Sequence, residues 1–221
     1  MENIEKKEII KDLIDAIRKY YPIDLSISNN EYSGYKLLEN IVNSKIDGLK
    51  RGILPIECYE LVKQIESFFK PYTVHVKYYT NFPNYSITIE LSNGNNYNIK
   101  TISCLNIILS LLTNYYTIFF EEWNWFNGFT KSVDNNNPVL FRIMSSRNLN
   151  IDPQKDIFNK SNFIVSQQFP SYKFVSHQLL LNQKLPNGVP FGYYDSIPYT
   201  YPIYAFLFDS QFNLPTTVIV E

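Results

Sequence analysis

The stretch from residue 101 to residue 120 contains no charged residue and no histidine, and it constrains the fold more than any other feature. Its length alone would suit a membrane-spanning helix, which needs about 20 predominantly apolar residues. However, Asn106 and Asn114 interrupt it with side chains that are costly to place in lipid. Glu121 and Glu122 follow it without the basic flank that often anchors a spanning helix. The stretch therefore predicts the buried centre of a globular core.

Within this stretch the residue pattern changes from helical to extended. Ile107 and Leu111 lie four residues apart, as on one face of a helix, and Ser103 is a suitable N-cap. Residues 115–120, Tyr-Tyr-Thr-Ile-Phe-Phe, are of types that favour strands. The sequence thus predicts a central buried helix over residues 103–112, followed by a buried strand.

Three amphipathic helices are predicted before residue 72, because apolar residues recur at helical spacing in each of them. Pro22 ends the first helix. The second helix spans residues 35–51 and ends at Gly52. The third begins at Pro55 and ends before Pro71. The charged faces of all three are interpreted as solvated surface.

From residue 73 onward apolar and polar residues alternate, which predicts strands of an antiparallel sheet. Asn93-Gly94 predicts a hairpin turn, because both residue types tolerate positive φ. The predicted strands cover residues 73–79, 85–91, 97–101, 115–120, 139–144, 163–168, 173–181, 201–208 and 216–220.

Helices first and strands afterwards predict an α+β fold, in which N-terminal helices pack on a mainly antiparallel sheet with one central buried helix. A single domain over residues 1–221 is expected, with a helical layer over 1–71 and a β-rich part over 72–221. Apolar residues make up 45% of the chain, which is ample for a core.

Composition also excludes several classes of function. A net charge of -1 leaves no basic footprint for nucleic acid. Glycine-rich phosphate loops and metal-ligand spacings are missing from the sequence, so no cofactor and no metal are expected. The charged N-terminus lacks the apolar segment of a secretory signal, and two cysteines do not make a disulfide framework. A cytoplasmic protein without membrane contact is expected.

Two catalytic interpretations were weighed against ordinary structural roles. Cys58 or Cys104 could act as a nucleophile with His75 or His177, but no local signature surrounds either cysteine. A pair of carboxylates could instead hydrolyse glycosidic bonds in an aromatic-lined cleft. The candidate acids for this alternative, a hydrolase or carbohydrate-active enzyme, are Glu90, Glu121, Glu122, Asp195 and Asp209.

Aromatic and acidic residues cluster just after the central stretch, in a predicted loop over 121–129, and again over 193–209. Trp and Tyr are enriched where interfaces concentrate binding energy, and neighbouring acids would steer a basic partner. The predicted partner-binding residues are Glu121, Glu122, Trp123, Trp125, Tyr193, Tyr194, Asp195 and Asp209.

A short helical part precedes Phe82-Pro-Asn-Tyr-Ser-Ile-Thr-Ile-Glu-Leu91, and the apolar segment from Leu109 to Trp123 follows it. An aromatic, acidic part completes the chain. With these features the chain resembles the immunity proteins that accompany bacterial polymorphic toxins, over about residues 30–125. The resemblance implies a non-enzymatic bacterial protein that binds a cognate toxin and blocks its active site.

Overall fold

Three helices precede the sheet, as the sequence predicts. The computed structural model describes residues 2–78, 81–96, 99–126, 139–145, 152–192, 200–209 and 217–220. The helices are α1 (Glu2–Tyr20), α2 (Ser33–Lys50) and α3 (Ile56–Phe68). Gly52 follows α2 with a φ of 71°, a conformation that favours glycine at a helix end. Pro55 is the N-cap residue of α3, so both predicted boundaries are confirmed.

The strands are β1 (Thr73–Val76), β2 (Asn84–Asn96), β3 (Ile99–Ser110), β4 (Tyr115–Phe126), β5 (Val139–Ser145), β6 (Lys173–Phe174), β7 (Lys184–Leu185), β8 (Tyr201–Pro202) and β9 (Thr217–Val220). Within the described residues, seven of them form one sheet in the order β1-β2-β3-β4-β5-β9, with β6 beside the start of β4. Neighbours from β1 to β5 are antiparallel, whereas β6 and β9 are parallel to their partners. The α+β class and the mainly antiparallel sheet are confirmed.

The predicted central helix over residues 103–112 is wrong, because this segment belongs to β3. Leu105, Ile107 and Leu109 lie on one face of the sheet, and Asn106 and Ile108 lie on the other. Both faces are buried here. A strand that is apolar on both faces loses the alternation that distinguishes strands from helices. In the described ranges, no helix combines the length and apolarity that crossing a bilayer demands.

The predicted hairpin turn at Asn93-Gly94 is also wrong, since Gly94 pairs with Thr101 inside the ladder between β2 and β3. The connection between these strands falls at residues 97–98, outside the described residues. A β-bulge interrupts the register between Glu90 and Ser92. Strand β2 therefore extends well past the predicted strand end at residue 91, to Asn96.

Part of the chain predicted as strand is helical. Helix α4 (Asp152–Gln168) contains the predicted strand over 163–168. Ile157, Ser161 and Ile164 are buried along one side of α4 at spacings of four and three residues, which suits a helix packed on the core.

Two short helices replace most of the other late strands. Of the predicted strand over 173–181, the first two residues form β6, and α5 (His177–Asn182) occupies the rest. The hydroxyl of Ser176 caps α5 by accepting a hydrogen bond from the N–H of Leu179, at 3.2 Å. Helix α6 (Ile203–Leu207) replaces most of the strand over 201–208. The strands predicted over 139–144 and 216–220 are confirmed as β5 and β9.

The central sheet separates two clusters of buried side chains. One face, here the aliphatic face, packs against α3 and α4, and it presents Ile87, Ile89, Leu105, Ile107, Leu109, Ile118 and Phe120. The opposite face, here the mixed face, packs against α1, α2, α5 and α6 through Ile108, Tyr115 and Phe119. The mixed face also buries polar residues, which are Asn84, Ser86, Thr88, Asn106, Ser110, Thr117 and Glu121.

Candidate functional site

The predicted contact residues that follow the central stretch lie in β4 and not in a loop. Glu121, Glu122, Trp123 and Trp125 pair with β3 on one side and with β5 on the other. Successive strand residues point to opposite faces, so Glu121 and Trp123 share the mixed face while Glu122 lies on the other. The alternation divides the predicted patch between two faces of the sheet.

Glu121 is a buried residue, with 5% of its surface exposed. Its Oε2 accepts a hydrogen bond of 2.7 Å from Nδ2 of Asn106. Oδ1 of Asn106 in turn accepts one of 2.7 Å from the Thr88 hydroxyl. The three side chains thus form a continuous hydrogen-bonded row across β2, β3 and β4, and such a row fixes the pairing of the strands that carry it.

The other predicted contact residues have different surroundings. Glu122 and Trp123 are partly exposed, and Oε1 of Glu122 accepts a hydrogen bond of 3.0 Å from Nδ2 of Asn124. Asp209 follows α6 and is also partly exposed. Tyr193, Tyr194 and Asp195 lie outside the described residues, as does the side chain of Trp125. Their role in partner binding stays a prediction.

The two cysteines are free and buried. Burial raises the pKa of the Cys58 thiol to about 12 and that of Cys104 to about 11. A nucleophilic cysteine requires the opposite shift, because the thiolate is the reactive form. Among the described residues, no three His, Cys, Asp or Glu side chains are grouped closely enough to hold a metal ion.

Two of the candidate carboxylates share the mixed face. Glu90 and Glu121 both pair with Cys104, from its two sides, so their Cα atoms are about 10 Å apart, two strand spacings. One oxygen of Glu90 lies 3.3 Å from Nε2 of His75, and the other accepts a hydrogen bond of 3.2 Å from Asn93. Both carboxylates are thus held by side chains of the sheet itself.

A cavity of about 740 Å³ lies where α1 ends beside α2 and the ends of β2 and β3. It is called the α2 cavity below. Its apolar lining residues are Leu37, Ile41, Ile53, Pro55, Tyr85 and Leu111. Its polar lining includes Lys19, Asn40, Ser44 and Lys45. Neither Glu90 nor Glu121 lines it, so the predicted acids and this cavity are separate features.

Lys45 is the unexpected member of this lining, with 6% of its surface exposed. Its Nζ donates hydrogen bonds to the carbonyl oxygens of Phe82, at 2.7 Å, and Asn84, at 3.1 Å. Burial lowers the pKa of the Lys45 ammonium to about 8. The sequence predicts solvated charged faces for the first three helices, whereas Lys45 continues the helical spacing of buried Leu38 and Val42.

Large apolar side chains are exposed around the start of α3. Ile53, Ile56 and Tyr59 are each exposed over at least half of their surface, and they are called the α3 surface. A shallow groove of about 220 Å³ lies beside them, lined in part by Val76. Nζ of Lys63 lies 4.2 Å from the centre of the Tyr59 ring, in a cation–π contact.

No protein-family model matches this chain, and neither a curated protein nor a solved structure is significantly similar to it. The resemblance to immunity proteins therefore stays a prediction from the sequence.

Proposed function

We propose that this chain is a non-enzymatic protein-binding module, and more specifically an immunity protein that binds and inhibits a cognate bacterial toxin. The observation that supports binding is the α3 surface, where Ile53, Ile56 and Tyr59 lie together on the outside of the molecule. Exposed apolar side chains that are grouped, and not scattered singly, are typical of protein interaction sites.

The energetics of the α3 surface favour a protein partner. Complete burial of an isoleucine side chain is worth about 1.5–3 kcal/mol, and tyrosine is among the residues that dominate binding energy. The adjacent groove of 220 Å³ is smaller than the roughly 300–1,000 Å³ of small-molecule sites. Side chains of a partner protein would fill it while covering the residues around it.

The charge beside this surface suits the basic partner expected from the sequence. Glu57 lies in the first turn of α3, whereas the carboxylate of Glu60 pairs with Nζ of Lys63 at 3.8 Å. Acidic residues at the edge of an apolar patch increase the rate of association with a basic protein. The toxin assignment itself is supported by the sequence resemblance. Glu122 and Trp123, which are partly exposed on opposite faces of the sheet, are two further predicted contact residues.

Co-expression with a toxin domain encoded by the neighbouring reading frame tests this proposal. The wild-type chain should restore growth and co-purify with the toxin domain. The double variant Ile56→Asp/Tyr59→Asp should weaken binding by at least about tenfold, because interface hot spots contribute about 2 kcal/mol. Ile4→Asp is the matched control, since Ile4 is 65% exposed on α1 and Ile56 is 70% exposed on α3.

The outcomes separate the parts of the proposal. If the wild-type chain neither binds the toxin domain nor restores growth, the immunity function is wrong. If it binds, but the double variant binds equally well, the α3 surface is not the interface. Trp123→Ala and Glu122→Lys, made separately, test the predicted contact residues on the two faces of the sheet in the same assay.

A further inference from the structure

The α2 cavity is larger than the groove of about 220 Å³ beside the α3 surface. At about 740 Å³ it falls within the range of small-molecule sites, which are mostly apolar with a few polar groups. One continuous stripe of α2 lines it, formed by Leu37, Asn40, Ile41, Ser44, Lys45 and Gly48 at helical spacing. A rigid helix thus presents apolar and polar groups side by side along the cavity.

The charges that line the cavity are of one sign. Among its described lining residues, Lys19 and Lys45 are cationic and none is acidic, although the whole chain carries a net charge of -1. Nζ of Lys19 lies 5.2 Å from the centre of the Tyr20 ring, and Tyr20 also lines the cavity. Nζ of Lys45 donates hydrogen bonds to the carbonyls of Phe82 and Asn84 beside the cavity.

We propose that the α2 cavity binds a small amphipathic carboxylate, a molecule with an aliphatic or aromatic body and a single anionic group. The apolar body would contact Ile41, Ile53 and Leu111, and the carboxylate would lie towards the lysine ammonium groups. A charged ligand with an apolar body satisfies both parts of the lining, whereas a neutral apolar molecule satisfies only one. This site shares Ile53 with the α3 surface, but its cations and polar groups lie on α1 and α2, and neither Ile56 nor Tyr59 lines it.

The polar groups on α2 add hydrogen-bonding capacity beside the cations. Asn40 and Ser44 are exposed residues one turn apart on the cavity side of the helix. Both can donate to a carboxylate, and hydrogen bonds to a charged acceptor are stronger than those between neutral groups. The donors and cations along α2 therefore favour the same class of ligand.

Titration with sodium octanoate, followed by two-dimensional amide NMR and calorimetry, tests the proposal on the intact chain. Saturable shifts are expected for the amides of α2 and Leu111. 1-Octanol, which has the same body without the charge, should bind at least tenfold more weakly. Lys19→Glu should weaken octanoate binding by about tenfold, whereas Lys50→Glu, an exposed change on α2 outside the cavity, should not.

A second pair of variants tests the location. Ser44→Trp places a large ring in the cavity from an exposed position and should abolish binding. Asn43→Trp makes the same change at the adjacent exposed position of α2, which does not line the cavity, and should leave binding intact. Octanol binding as tight as octanoate, shifts that do not saturate, or equal affinities in Ser44→Trp and Asn43→Trp would each overturn the proposal.

Discussion

The two faces of the central sheet are built from the same strands but are stabilised by different interactions. The aliphatic face is lined by Ile, Leu and Phe side chains that contact α3 and α4. The mixed face combines Phe119 with the hydrogen-bonded row of Thr88, Asn106 and Glu121. Burial of apolar surface has no direction, whereas the polar row requires each partner at one position. The aliphatic face therefore stabilises the sheet without selecting partners, whereas the hydrogen-bonded row on the mixed face also selects the strand register.

The largest effect is expected on the aliphatic face. Ile107 is fully buried on β3, and Ile107→Ala should reduce the free energy of unfolding by about 3 kcal/mol through lost burial and the cavity left behind. Urea unfolding measures this loss. If Ile107→Ala loses less unfolding free energy than Asn106→Ala, the mixed face and not the aliphatic face is the more sensitive one.

A smaller but still large effect is expected on the mixed face. Asn106→Ala removes a donor to the buried Glu121 carboxylate and should cost about 2 kcal/mol. The chain offers a matched control, because the Thr101 hydroxyl donates to Asn124 at 2.8 Å in a partly exposed setting. Asn124→Ala should cost less than about 1 kcal/mol, since water replaces the lost partner. Equal losses in urea unfolding would show that burial of the row is unimportant.

The smallest effect is expected for Lys45, a buried residue of α2 that belongs to neither face of the sheet. Its pKa is lowered by burial to about 8 in the native state, while the unfolded state keeps a value near 10.4. Between pH 7 and pH 9 the unfolded state thus binds more protons, so stability rises with pH. The free energy of unfolding of the wild type, minus that of Lys45→Met, should increase by about 1 kcal/mol over this range.

The raised pKa values of Cys58 and Cys104 have the opposite effect. Their neutral thiols are favoured in the native state, so this stabilisation is lost as the pH rises above about 8.5, the ordinary thiol value. The wild type and Lys45→Met both contain these thiols. The difference between their free energies of unfolding therefore reports on Lys45 alone. If this difference in unfolding free energy stays constant or falls between pH 7 and pH 9, the lowered pKa of Lys45 is wrong.

The parts of the fold that local chemistry determines could be predicted from the sequence. Proline and glycine act on the backbone of their own neighbourhood, so Pro22, Gly52 and Pro55 located the ends of the first three helices. The strand at 139–144 was equally clear from its residue types. The strand β3 was mistaken for a helix because its second buried face depends on α1, α5 and α6, which are distant in the chain.

The arrangement of the site residues depends on contacts that no local pattern encodes. Asn106 meets Thr88 and Glu121 only because the register of three strands aligns them, over separations of 18 and 15 residues. Lys45 could have been suspected, since it continues the buried stripe of Leu38 and Val42 on α2. Its acceptors, the backbone carbonyls of Phe82 and Asn84 at the start of β2, could not have been identified without the fold.

The bulge at Leu91 has a consequence for how this sheet can change over evolutionary time. Before the bulge, the even-numbered residues of β2 lie on the mixed face, and beyond it Ser92 pairs with Ser103, which lies on the opposite face. Beyond the bulge, in the outer half of the hairpin, the even-numbered residues of β2 thus lie on the face opposite to the one they occupy in the inner half. Insertions or deletions at Leu91 would be absorbed there, so descendants of this chain can vary the outer half in length while Thr88 keeps its place beside Asn106.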